Sequence, residues 1–118
     1  MLYSGGDLMV KVISSYEQCP FFEKTFSILG RKWNGLIIDV LLTEGPQRFK
    51  DIASKVQKCS DRVLVERLKE LEEAGLIQKK SLEDSCRSCY CLTESGQDLK
   101  DIMHKLHSWS KRWYDKDC

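Results

Sequence analysis

RFKDIASKVQKCSDRVLVERLKELEEAGLI, residues 48–77, is the stretch whose reading decides the fold. It reads as two helices joined by a short polar turn. In the second helix Leu64, Leu68 and Leu71 recur at i, i+4 and i+7, the apolar stripe of a helix that faces a core. Arg62, Val65, Glu66 and Lys69 project from another side of the same helix. Ser60 stands ahead of it as N-cap, with a hydroxyl placed to accept from an orphan backbone N–H. Upstream, Ile52 and Val56 make an i, i+4 pair on a first helix of about two turns. Helix, tight turn, longer helix is the helix-turn-helix arrangement, whose second helix can lie in a DNA major groove. The same pattern also describes an ordinary αα-hairpin.

Charge bears on that choice. The formal net charge of +1 does not announce a nucleic-acid binder, but the distribution is uneven. Between Pro46 and Lys69, Arg48, Lys50, Lys55, Lys58, Arg62, Arg67 and Lys69 outnumber Asp51, Asp61 and Glu66. From Glu70 to Asp84 the balance reverses: Glu70, Glu72, Glu73, Glu83 and Asp84 face only Lys79 and Lys80. Basic charge is thus gathered on the unit that would meet phosphates, although a solvated helix face carries the same bias.

Working outward, residues 1–18 show weak periodicity and a Gly5-Gly6 pair, and read as a flexible N-terminal arm in which Met9 is an alternative start. Cys19-Pro20 opens a helix, since proline suits the first helical position and puts Cys19 at the N-cap. Phe22, Phe26 and Leu29 give it an apolar stripe, and Gly30 stops it. A second helix is expected from Lys32 to Thr43. It is apolar nearly all round (Trp33, Leu36, Ile37, Val40, Leu41), as a central buried helix would be. Beyond the helix-turn-helix, Ala74-Gly75 is a helix stop. Two extended runs, residues 76–82 and 87–93, flank a polar tip and predict a β-hairpin, a wing offering Lys79, Lys80 and Arg87 to backbone phosphates. Thr93-Glu94-Ser95-Gly96 starts a last helix carrying Leu99, Ile102, Met103, Leu106, Trp109 and Trp113 at three- and four-residue steps. So long a stripe either caps the core or forms a dimer seam, and its length favours the seam.

At 118 residues, 42% hydrophobic and 31% charged, the composition is that of one soluble globular domain, small enough to gain from dimerisation. No run approaches the roughly 18 apolar residues of a membrane span. The N-terminus lacks the pattern of a secretion signal, so the expected location is a reducing cytoplasm in which the six cysteines are mostly thiols.

Several motifs in order carry a family resemblance: CPFFEKTFSILGRKW, then LL-x-x-G-P-x-RF, then ERLKELEEAGLI, then Y-C-LTESG, and late Trp109. Across Cys19 to Trp113 the chain resembles the HxlR-type winged-helix regulators, which relate to the MarR-like repressors of bacteria and archaea. The resemblance implies a mainly α fold with a small β-hairpin wing, a winged helix-turn-helix over residues 19–118 dimerised through its first and last helices. Phe22, Phe26, Leu99, Met103, Leu106, Trp109 and Trp113 would form that interface. It further implies a homodimer on an inverted-repeat double-stranded operator, the second motif helix in the major groove and the hairpin as wing. The wing departs from the family pattern: Cys86-Arg87-Ser88-Cys89-Tyr90-Cys91 stands where a proline-rich tip and an acidic residue before the tyrosine are usual.

Cys19 sits where many family members keep a cysteine, which in several senses oxidants, quinones or aldehydes. A thiol at a helix N-terminus also lies in the positive field of the helix dipole, with Lys24 as an additional cation. The alternative is a small apolar residue packed at the seam. Cys86, Cys89 and Cys91 form C-x-x-C-x-C, open to three readings: inert, redox-active or metal-binding. A structural zinc needs a fourth ligand, and Cys59, Cys118, His104 and His107 stand at no recognised spacing for one. On a strand Cys89 and Cys91 face the same way. Cys59, Cys86, Cys89, Cys91 and Cys118 are the possible partners of Cys19 in a disulfide.

Catalysis finds little support. A thioredoxin-like reading of C-x-x-C fails because the motif precedes a strand. His104 and His107 lack the acidic partner of a metalloprotease, and no G-x-S-x-G, Walker loop or dinucleotide fingerprint is present. No cofactor is expected and no metal site is assigned. The expected function is a dimeric, cytoplasmic transcriptional regulator, in the repressor sense, with Ser60, Asp61, Arg62, Val65, Glu66 and Lys69 at base edges or flanking phosphates. Arg48, Lys58, Lys79, Lys80 and Arg87 would hold the backbone. The rivals are control by a small ligand or metal without thiol sensing, and a winged-helix module that binds protein.

Overall fold

The computed structural model describes residues 16–81 and 88–115. Expectations for Cys86, Arg87, Cys118 and the arm through residue 15 lie outside the described residues. The order is α1 (Pro20–Leu29), α2 (Asn34–Glu44), α3 (Phe49–Lys55), α4 (Asp61–Glu73), β1 (Ile77–Ser81), β2 (Ser88–Leu92), α5 (Glu94–Gln97) and α6 (Lys100–Tyr114). A helical body with one antiparallel hairpin is the expected architecture of a winged helix.

Local chemistry sets most boundaries. Pro20 begins α1 with Cys19 as N-cap, and Ser60 caps α4 by accepting from the Val63 N–H at 3.2 Å. Gly75, at φ 80°, closes α4: its N–H donates to Glu72 O and the Leu76 N–H to Leu71 O, both at 3.0 Å. That double bond to the last carbonyls needs a left-handed residue, which glycine adopts without strain. The chain then enters β1 directly.

The core lies between α2, α3, α4 and the base of the hairpin. Ile37, Ile38 and Leu41 of α2 meet Ile52, Val56 and Cys59, the leucine stripe of α4, and Ile77, Tyr90 and Leu92 of the hairpin. Each fully buried leucine contributes about 2 kcal/mol of transfer free energy. The hairpin is tied to this body twice. Gln47 and Tyr90 exchange backbone hydrogen bonds at 3.0 and 2.7 Å. Thr93 and Ser95 hydroxyls both donate to the carbonyl of Gly75, at 2.6 and 2.9 Å.

Three expectations need correction. The second helix does not begin at Lys32: Trp33 has φ 84° and breaks the chain direction, so α2 starts at Asn34. Nor is α2 buried all round, since Leu36 is 53% exposed. The last helix is also interrupted, with a single turn at α5 and α6 starting only after Leu99.

Candidate nucleic-acid interface

Helix α4 presents two sides because its sequence repeats with two chemistries at one period. Leu64, Leu68 and Leu71 are buried, whereas Arg62, Val65, Glu66 and Lys69 are all exposed on the other side. Val65 is 55% exposed. A β-branched apolar residue held in solvent on a charged helix face suits contact with a thymine methyl group, and the long Arg62 suits a guanine edge. Ser60 and Asp61 lie exposed at the start of the same helix, where backbone N–H groups face outward and favour a phosphate.

The flanking cations are not equivalent. Lys58 is exposed in the turn between α3 and α4. Arg48 is half-buried at the N-cap of α3 and engaged within the chain: the Asp51 carboxylate accepts from its backbone N–H at 3.2 Å, and the Arg48 Nε lies 3.7 Å from the same oxygen. In the hairpin, Lys79 pairs with Tyr90 and Lys80 with Cys89, so the two lysines point to opposite faces. Lys79 lies over the Tyr90 ring, 5.7 Å from its centroid. With Phe49, Val65, Ser88 and Tyr90 it lines a concavity of about 340 Å³ between α4 and the hairpin. The structure therefore joins Lys79 to the α4 face and leaves Lys80 on the other side of the wing. Phe49, Ser88 and Tyr90 were not singled out from the sequence; the strand alternation pairing Ser88 and Tyr90 with Lys79 was the available signal.

The thiols occupy separate places. Cys19 is exposed at the N-cap of α1, and no side chain caps that helix. Cys59 is buried between α3 and α4, where its Sγ–H donates to Ser60 O at 3.5 Å. Burial pushes the Cys59 thiol up from its ordinary value, with Arg67 and Lys32 opposing and Asp61 adding to the rise. Cys89 and Cys91 are half-buried on the outer face of β2, opposite Lys80 and Gln78. Among the described residues no group of three or more Cys, His, Asp or Glu side chains is arranged to hold a metal ion.

The first and last helices carry the exposed apolar surface. Phe22 and Phe26 stack edge-to-face, centroids 4.9 Å apart, on the open side of α1. Ile102, Leu106, Trp109 and Trp113 line α6, and each is about half exposed. Leu99 packs against the core of its own chain, and Met103 is half-buried and shares a hollow with Trp33 and with Leu36 of α2. No helix among the described residues is long and apolar enough to cross a membrane.

Known proteins match this arrangement. The HxlR-like helix-turn-helix family matches residues 28–118. The HTH-type transcriptional regulator YodB of Bacillus subtilis is 41% identical over 96 residues, 80% of this chain and 85% of YodB. The reduced form of YodB superimposes with a TM-score of 0.73 at 37% identity, covering 86% of this chain and all of that one. Quinone-bound YodB gives a TM-score of 0.71 at 40% identity, covering 81% of this chain and all of that one. The resemblance read from the sequence motifs is borne out.

Proposed function

This chain belongs to the HxlR-like helix-turn-helix family of transcriptional regulators, and on that premise we propose how it reads DNA and what it responds to. As a DNA-binding regulator it is not an enzyme. Two copies pair through α1 and α6 and set their α4 helices about one turn of DNA apart, roughly 34 Å, on an inverted-repeat operator. The exposed apolar residues of α1 and α6 support this pairing, because a surface so rich in phenylalanine and tryptophan is costly to leave in water. The observation that carries the reading is the α4 face of Arg62, Val65, Glu66 and Lys69, exposed beside a fully buried leucine stripe. Lys58 and Lys79 flank it as phosphate contacts. Arg48 and Lys80 serve more peripheral ones, and Arg87, outside the described residues, is kept as a further phosphate contact. The protein works in the cytoplasm, as a repressor.

Cys19 is the responsive thiol. Its exposure at a helix N-cap supports conjugate addition to a quinone: the sulfur–carbon bond forms, the thiol proton goes to one ring oxygen and the hydrogen of the attacked ring carbon to the other, leaving a hydroquinone joined to Cys19 through a thioether. Displacement of α1 by the adduct, or by a disulfide to a second cysteine of the partner copy with a quinone taking up the two electrons and two protons as hydroquinone, changes the spacing of the two α4 helices and releases the operator.

One feature favours a second reading, control by a small ligand. An apolar groove of about 220 Å³ runs along α1, lined by Phe21, Lys24, Ile28, Leu76 and Leu99 among others. Gel shifts with the DNA upstream of its own gene, across a salt series and with or without a quinone, test both. Affinity should fall steeply with salt as phosphate counterions are released. Quinone should abolish binding by the wild type and spare Cys19→Ser. Salt-insensitive binding removes the DNA reading, and an unchanged quinone response in Cys19→Ser removes Cys19.

A further inference from the structure

We propose that Asn34 is a positioning residue for DNA reading, its buried amide pinning α4 in rotation to the C-terminal end of α1. The inference rests on α4 being the reading helix, as proposed above.

Asn34 is 0% exposed, the one fully buried polar or charged side chain among the described residues. Its amide nitrogen donates to Ile28 O of α1 at 2.8 Å and to Glu70 Oε1 of α4 at 2.8 Å. An amide has two protons, and the two bonds use one each. A single side chain of α2 thus joins the backbone of α1 to a carboxylate of α4. Glu70 is held from its other oxygen as well, by Arg31 at 3.5 Å and Arg67 at 3.8 Å.

The place of Glu70 on α4 decides what the pin does. It follows Glu66 by one turn, on the flank between the exposed face and the leucine stripe. The leucines fix how deep α4 sits, but an apolar stripe is non-directional and tolerates rotation about the helix axis. A hydrogen bond on the flank does not, because it is directional, and its donor, Asn34, is fully buried although Glu70 remains 28% exposed. Rotation about that axis sweeps Arg62 and Val65 across any base edge they meet. Trp33 supports the assignment. A bulky side chain at φ 84° is a strained conformation that persists only where its surroundings hold it, and this one delivers Asn34 to the first turn of α2.

The same link gives α1 a path to DNA. Movement of the Ile28 carbonyl pulls on the amide that holds Glu70, so a change at the start of α1 reaches α4 without passing through the partner copy.

The test uses the full chain and a duplex selected by the wild-type protein from a randomised pool, against a scrambled duplex of the same composition. Asn34→Leu, Glu70→Leu, their double variant and Glu70→Gln are compared, with circular dichroism and sedimentation establishing fold and assembly. Each leucine variant should lose about tenfold in affinity for the selected duplex and keep its affinity for the scrambled one. The double variant should lose no more than either single, and Glu70→Gln, whose oxygen still accepts from Asn34, should recover most of the discrimination. Should Asn34→Leu fail to fold, the two Glu70 variants decide. Wild-type discrimination in folded leucine variants, an equal loss on both duplexes, or additive losses would overturn the inference and leave the DNA reading standing. A wild-type protein that discriminates between no duplexes overturns both.

Discussion

His107 of α6 meets Asp39 of α2, Nε2 to Oδ1, at 2.7 Å. Asp39 lies midway along the helix whose first residue is Asn34, so α2 carries polar links to α1, α4 and α6 together. None of the α6 side chains is fully buried. The His107 bond is the directional link between that helix and α2, beside the half-buried Met103. Because His107 is 62% exposed, the pair contributes only about 0–1 kcal/mol. His107→Ala should leave the melting temperature nearly unchanged while raising amide hydrogen exchange along α6, read by mass spectrometry. Unaltered exchange in α6 would show that apolar contacts alone hold it.

Arg62 and Lys79 should fail differently. Arg62→Ala should cost about 1–3 kcal/mol on an operator and relax the preference at one base pair. Lys79→Ala should weaken binding to all duplexes alike and lower the salt slope by about 1. Neither should change thermal stability, since both side chains are exposed. Filter binding across a salt series distinguishes them.

Thiol labelling should be ordered by burial. Cys19, exposed, should react with a thiol reagent in the native protein well before Cys59. Burial raises the Cys59 thiol above its ordinary value of 9.0, so the folded chain keeps that proton to higher pH than the unfolded chain does. Its contribution to stability is complete below about 9 and is lost as pH rises through and beyond it. Urea unfolding between about pH 8 and pH 10 should therefore destabilise the wild type more than Cys59→Ala. Parallel losses would show that Cys59 is not responsible.

Gly96→Ala should be among the most damaging single-methyl changes in this chain. A Cβ at Gly96 collides with the Leu76 carbonyl oxygen and comes within 2.9 Å of Leu92 Cδ2. Backbone cannot yield there, because Thr93 and Ser95 clamp the neighbouring Gly75. A loss of about 3 kcal/mol in unfolding free energy is expected; a loss within 0.5 kcal/mol, the usual range for surface changes, would mean that the α5 turn can move.

What the sequence disclosed was chiefly local. The leucine stripe, the Ser60 cap and the Gly75 stop each depend on residues within a turn or two, and all three are visible in residues 48–77. The Asn34–Glu70 bond joins residues 36 positions apart, and neither carries a pattern that points to the other. Asn34 gave little away either, because it stands between Trp33 and Gly35 just ahead of the apolar run, where a polar residue reads as a helix start. Trp33 gave none, because aromatic side chains have no preference for the left-handed region it occupies. Leu36 shows the limit of apolar periodicity: it marks what leaves water but not whether the cover is the same chain. The divergence of Lys79 and Lys80 was legible in principle, since strand neighbours always alternate.

That alternation also sorts β2 by what each position owes the rest of the molecule. Tyr90 and Leu92 are committed inward, where a change of shape is felt by the whole body. Cys89 and Cys91, only half-buried on the other side, owe it less, so exchanging sulfur there for another small side chain should be felt mainly by the wing and little by the scaffold beneath.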